Sequence, residues 1–165
     1  MLLRSLKMNI SFVALEEHHA SEVIGWRYEE PYDIYDYRNR NANEIISYLS
    51  DPLNGFFAVL NQEIFIGFRS FGEDGRVFGG DYDNNYLDTG GGLRPDLTGQ
   101  GLGSHILQKG IEFGRQEYAK TAFRTTVAKF NIRAQKVCKN VGFCINHEFD
   151  RPSDGERFIV FTIDY

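Results

Sequence analysis

Gly99, Gly101 and Gly103 stand at alternate positions near the end of the run 87–104 (LDTGGGLRPDLTGQGLGS), where a strand-like segment passes through a loop into a helix. That pattern suits an anion. Residues without a Cβ let a ligand come close to the backbone, and a helix starting near Leu102 turns unpaired N–H groups and its positive dipole end toward the loop. The residues in reach are Thr98, Gly99, Gln100, Gly101, Leu102, Gly103 and Ser104. A nucleoside-triphosphate loop would need Gly-Lys-Ser/Thr, whereas Gly103 is followed by Ser104 and His105. The dinucleotide fingerprint is met only loosely by Gly99, Gly101 and Ser104. Its ribose-binding acid after the next strand is absent, for the chain has Ala128, Lys129 and Phe130 there. On spacing alone, an ordinary tight strand-to-helix turn explains the glycines equally well.

Other reactive side chains are few. Cys138 and Cys144 match no metal or redox spacing, and none of His18, His19, His105 and His147 pairs with Cys, Asp or Glu at a ligand spacing, so no metal is expected. Two cysteines make no disulfide framework, which fits a reducing, cytoplasmic setting. The net charge of −5 argues against a nucleic-acid partner, which would call for a basic face. No apolar run reaches the length of a membrane span. Residues 1–8 lack the unbroken apolar stretch and cleavage site of a signal peptide, and Met8 is a second candidate start.

Elements that could position these residues alternate along the chain. The 165 residues suit one domain, 1–165. Residues 9–15 read as a strand, 20–28 and 42–49 as helices, the latter capped by Asn41 or Asn43, and 56–60 with 64–71 as a hairpin turning at Asn61-Gln62. Then come a strand over 86–93, a helix over 102–118, a strand over 123–128, a helix over 132–141, and strands over 143–149 and 157–163. In the long helix, Gly103, Ile106, Leu107, Gly110, Ile111 and Gly114 form one face. Gly110 and Gly114 each cost about 1 kcal/mol of helix propensity against Ala, which argues for close packing on a sheet.

Residues 130–143 (FNIRAQKVCKNVGF) form a capped helix closed by Gly-Phe. With Leu93-Arg94-Pro95 and the glycine loop, this segment resembles the GCN5-related N-acetyltransferase family, which acylates amines with acetyl-coenzyme A. The resemblance covers most of the chain and is strongest over 87–143. It implies an α/β fold with a mixed, mostly antiparallel central sheet flanked by helices, as in other acyl-CoA N-acyltransferases. It further implies that residues 98–104 hold the coenzyme A pyrophosphate, that Gly92, Leu93 and Arg94 follow the pantetheine arm, and that Asn131 lies near the thioester. The implied reaction is direct transfer from acetyl-coenzyme A to a primary amine, a small cationic one favoured, through a tetrahedral intermediate. Asp88 takes the position of the residue that draws a proton from the amine. The alternative is that it binds a cationic substrate or caps a turn.

The chain departs from the family pattern at two places. Many relatives place a tyrosine, which protonates the leaving thiolate, where this chain has Cys138, on an apolar stripe with Ala134, Val137 and Val141. Thr98 stands where Arg or Gln is frequent. On the acceptor side, Trp26, Tyr28, Tyr32 and Tyr35 interleave with Glu29, Glu30, Asp33 and Asp36. Such a loop suits a cationic amine through cation–π and charge attraction, and a solvated acidic loop with core-packing tyrosines is the alternative. Two further readings stay open: a non-catalytic acyl-CoA-binding sensor or interaction module, and a protein N-terminal acetyltransferase. The acceptor is then a small-molecule or peptide amine, with no nucleic acid or membrane as partner, and a homodimer is left open.

Overall fold

The computed structural model describes residues 8–165, so residues 1–7, read above against a signal peptide, lie outside the described residues. Runs rich in β-branched and aromatic residues form β1 (Ile10–Ala14), β2 (Phe56–Asn61), β3 (Ile64–Phe71), β4 (Leu87–Leu93), β5 (Ala122–Ala128), β6 (Cys144–Asp150) and β7 (Arg157–Asp164). They make one sheet in the order β1-β2-β3-β4-β5-β7-β6. Every neighbouring pair is antiparallel except β4 and β5, which run parallel. The sheet is thus mixed and mostly antiparallel, and the helices α1 (Glu17–Val23), α2 (Ala42–Ser50), α3 (Gly103–Tyr118) and α4 (Ile132–Val141) flank it.

Successive strand residues point to opposite faces, so Phe68 and Phe71 on β3 belong to different cores. Phe56 and Phe68 pack with Ala20 and Val23 of α1 and Ile45 and Leu49 of α2. Phe71 and Phe123 pack with Leu107 and Ile111 of α3 and Cys138 of α4. The α3 glycines meet the sheet as their spacing suggests. A Cβ on Gly114 would lie 2.7 Å from the Phe71 ring and 2.9 Å from the Phe123 ring, so only a bare backbone fits.

Most element bounds shift by about a residue, and two differences from the sequence reading have a local cause. The first helix begins earlier and ends at Val23, because Glu16 and His19 close a capping box ahead of it and Ile24-Gly25 turns the chain away. Trp26 and Tyr28 therefore lie beyond the helix. In the hairpin, Asn61 still pairs with Ile64 and the turn residues are Gln62 and Glu63, both with positive φ (48° and 70°), as a tight turn matching strand twist requires. Among the described residues, no helix is long and apolar enough to cross a membrane.

Candidate active site

β4 and β5 pair at Leu87↔Phe123 and Asp88↔Arg124, and no farther along. Past Asp88 each strand keeps its outer neighbour, β3 for β4 and β7 for β5, while the edges facing one another lack a strand partner among the described residues. Alternate backbone groups of Gly90–Leu93 thus face an opening, ready to hydrogen-bond something other than protein. Because the strands are parallel, their carboxyl ends share one side of that opening. Each leads toward a helix N-terminus, α3 after the loop and α4 after the turn at Phe130. This is where a ligand lodges in sheets with parallel strands.

The glycine loop forms one lip of the mouth. Gly99 and Gly101 have φ of 72° and 78°, which side chains rarely adopt. A Cβ on Gly101 would meet nothing within 4 Å, so its free side looks into open space. Gly103 has a different task, since its Cβ would fall 2.8 Å from Val137 of α4. Leu102 begins α3 without any side-chain cap, which leaves the helix's first N–H groups open to an anion. The flanking side chains brace the loop. Thr98 Oγ1 donates to the Pro95 carbonyl (2.8 Å), Gln100 Nε2 to that of Asp96 (2.7 Å), and Ser104 Oγ accepts from Asn140 Nδ2 (3.3 Å). Arg94 ion-pairs with Asp96 at 2.6 Å and donates to the Phe65 carbonyl, so its charge is already partnered.

Residues 28–38 bridge the mouth from one strand to the other. Tyr28 Oη donates to the Leu93 carbonyl at 2.7 Å on the β4 side. On the β5 side, Tyr35 stacks on Phe130, and Asn131 Nδ2 donates to Tyr35 Oη at 3.2 Å while Asn131 Oδ1 caps α4. Tyr32 also meets Phe130 and takes the Arg133 guanidinium over its ring at 4.5 Å, and Arg133 in turn borders Gly99. Trp26 does not join them. It is buried between Phe65 and Phe68 because its apolar bulk fills the core under α1, so it is not available to wall an acceptor. Asp36 is likewise occupied. Its side chain is inaccessible to solvent and bound to Arg38 at 2.6 Å, which holds its carboxyl well below the usual range.

The closed end is an ion cluster. Asp88 is 2% exposed and accepts from Arg124 Nε (2.6 Å) and Nη2 (2.8 Å) and from Arg76 Nε (2.8 Å). Arg124, also buried, reaches the Asp83 carbonyl at 2.9 Å and lies against the Tyr82 ring at 4.9 Å. The vacant base expected from the sequence is therefore not what the structure provides: two guanidiniums already occupy the carboxylate. Neither Arg124 nor Arg76 stands out by motif. The available signal was a charged residue inside the otherwise uncharged strand AFRTTVA, which needs an acidic partner when buried.

Cys138 is buried in the core beneath α4, and burial pushes its thiol up to about 11. Cys144 and His105 are exposed. Among the described residues, no group of three or more His, Cys, Asp or Glu is placed to hold a metal ion.

Comparison with known proteins places this geometry. Residues 14–143 match the model of the acetyltransferase (GNAT) family. No curated protein matches the sequence. Among solved structures, the aminoglycoside acetyltransferase AAC(6')-Ib in complex with ribostamycin and coenzyme A is similar, with TM-score 0.75 and 14% identity over 94% of this chain and 93% of that one. A GNAT-family acetyltransferase from Bacillus anthracis gives TM-score 0.68 and 14% identity, covering 96% of each chain. A chimera of the spermidine N-acetyltransferase SpeG from Vibrio cholerae with hSSAT gives 0.69 and 15%, covering 94% of each. At these identities the likeness establishes the fold.

Proposed function

The chain belongs to the GNAT family of acetyltransferases, and from that premise we propose that it transfers the acetyl group of acetyl-coenzyme A to a primary amine by direct attack, with a small cationic amine as acceptor. The observation that carries this reading is the opening between β4 and β5, whose parallel strands part after Asp88 with two helix N-termini at its mouth. The residues fit the coenzyme. Its phosphates suit the uncapped start of α3, where Gly101 leaves open space and Arg133 adds positive charge beside Gly99. Alternation along β4 turns the backbone groups of Gly92 toward Phe68 of β3 and leaves those of Gly91 and the N–H of Leu93 to meet the two amides of the pantetheine arm. Asn131 and the tyrosine bridge border the same opening.

Bound in that way, acetyl-coenzyme A supplies an activated acyl carbon. The protein orients it, excludes water through the bridge of Tyr28, Tyr32 and Tyr35, and sets fixed backbone dipoles beside it in a low-dielectric opening. Glu29 and Glu30 are exposed on the same segment and give an acidic approach for a cation. That two of the structural neighbours are an aminoglycoside acetyltransferase and a spermidine N-acetyltransferase supports an acceptor of this class. We assign Asp88 to positioning: with Arg124 and Arg76 it pins the closed end of the opening, and the amine sheds its proton to water.

The deciding experiment is a thiol-release assay with acetyl-coenzyme A against polyamines, aminoglycosides and peptide amines. Release with a cationic small amine bears the reading out. Coenzyme binding with no release across the panel would instead favour the acyl-CoA sensor, the reading that Cys138 in place of a hydroxyl acid supports. No binding of acetyl-coenzyme A would overturn both.

A further inference from the structure

Arg69 is a half-buried cation that the reading above leaves unused. It stands on β3 directly opposite Gly91 of β4, and its side chain runs under α3 on the face shared with α4. Two bare backbones make its channel. A Cβ on Gly91 would lie 2.9 Å from Arg69 Nη1, and one on Gly110 of α3 would lie 3.0 Å from its Cδ. The guanidinium therefore lies over β4 at Gly91, where no side chain intervenes, on the stretch of strand that β5 has left. Its Nε donates to Thr89 Oγ1 at 3.1 Å; among the described residues it meets no carboxylate, and Nη1 and Nη2 have no hydrogen-bond partner.

The titratable group that meets Arg69 is Cys138, from α4, while α3 presents Gly110. That thiol stays protonated far above neutrality and so is no counter-ion. Burial lowers the Arg69 pKa to about 10, which leaves it charged at neutral pH. A guanidinium partly withdrawn from water without a counter-charge is costly, and its unpartnered nitrogens remain open to an anion.

We propose that Arg69 receives the negative charge that develops on sulfur when the thioester breaks, doing by ion pairing what a hydroxyl acid would do by protonation. This rests on the reading that acetyl-coenzyme A lies along β4, its phosphates at α3 and its arm directed toward the closed end. In the step itself, the amine nitrogen bonds to the acyl carbon and the carbon–sulfur bond breaks with its electron pair going to sulfur. The amine proton goes to water, and the guanidinium neither gives nor takes one.

The test uses the full chain with coenzyme A and with desulfo-coenzyme A. The difference in ultraviolet thiolate absorbance between the two complexes, followed across pH, gives the pKa of the bound thiol, because the protein's cysteines cancel. In the parent protein the bound thiol should titrate at least about one unit below free coenzyme A, a tenfold gain in thiolate at a given pH, as an adjacent cation produces. Arg69→Gln should return it to the free value, and Arg69→Met, which fills the channel without polarity, replaces it if the glutamine variant does not fold. A bound thiol that titrates like the free one in the parent, or equally low in the neutral variant, overturns the proposal. So does a large drop in the melting temperature of both apo neutral variants, Arg69→Gln and Arg69→Met, which would assign Arg69 to the scaffold. Failure of the parent to bind coenzyme A at all overturns the cofactor reading and this inference together, and it is seen before any substitution is made.

Discussion

At the scale of single residues, the chemistry of Asp88 turns on what already holds it. A carboxylate that accepts from two guanidiniums must lose those bonds to take a proton, so it serves better as a fixed charge than as a base. Asp88→Asn leaves Arg124 buried without its partner and should destabilise the protein by about 3 kcal/mol, the usual scale for breaking a buried pair. Turnover should fall with it, and raising the pH should not restore the rate. Recovery at alkaline pH, read from a pH–rate profile beside a thermal melt, would return Asp88 to the role of base. Cys138 offers a second check. With its pKa near 11, it should resist alkylation at pH 8 while exposed Cys144 reacts, as peptide mapping would reveal. Its effect on stability has a definite sign. Below its ordinary value of 9.0 the thiol is protonated folded and unfolded; between there and about 11 the unfolded chain ionises first, so stability falls. Cys138→Ala should flatten that alkaline decline in denaturant melts.

At the scale of elements, the three alternating glycines divide between two tasks. Gly101 sits at positive φ beside open space, so Gly101→Val should cost the fold only about 1–2 kcal/mol of backbone strain while its side chain enters the room where a phosphate would lie. Gly103→Val instead drives into Val137 and should loosen α3 from α4, at about 1–3 kcal/mol for overpacking. Melting each variant with and without acetyl-coenzyme A separates them. The first should lose the ligand-induced rise in melting temperature, whereas the second should lose intrinsic stability. An undiminished rise in Gly101→Val would remove the phosphate cradle from this loop.

For the whole molecule, the opening is a product of sheet topology, and residues 28–38 tie its two lips together through Tyr28 and Leu93 on one side and Tyr35 and Asn131 on the other. Ligand held across that span should stabilise the fold by mass action, about 2.7 kcal/mol at a hundredfold excess over Kd, or about 5–10 °C in Tm for a chain of this size. Hydrogen exchange should slow on coenzyme binding at residues 90–93 and 99–105 and in the bridge, with β1 and β2 little changed. Tyr35→Phe removes the contact to Asn131 while keeping the stack on Phe130, so it should weaken protection of the bridge more than that of the loop. Equal protection everywhere would argue against a bridge that closes on the ligand.

The sequence by itself determined what depends on neighbours along the chain. Periodicity placed α2, α4 and most strands, the glycine spacing marked the loop before α3, and Gly110 and Gly114 foretold close packing, because local backbone preference and one-sided hydrophobicity act over a few residues. Only the tertiary structure decided whatever required two distant segments to meet. That Asp88 is closed off by Arg124, that Trp26 is core while Tyr32 and Tyr35 reach Phe130, and that Arg69 passes over Gly91 all follow from strand register and helix docking. A buried charge needs a partner whose identity is fixed by which strands lie side by side, and adjacency in the sheet is a global choice that no local stretch of sequence contains.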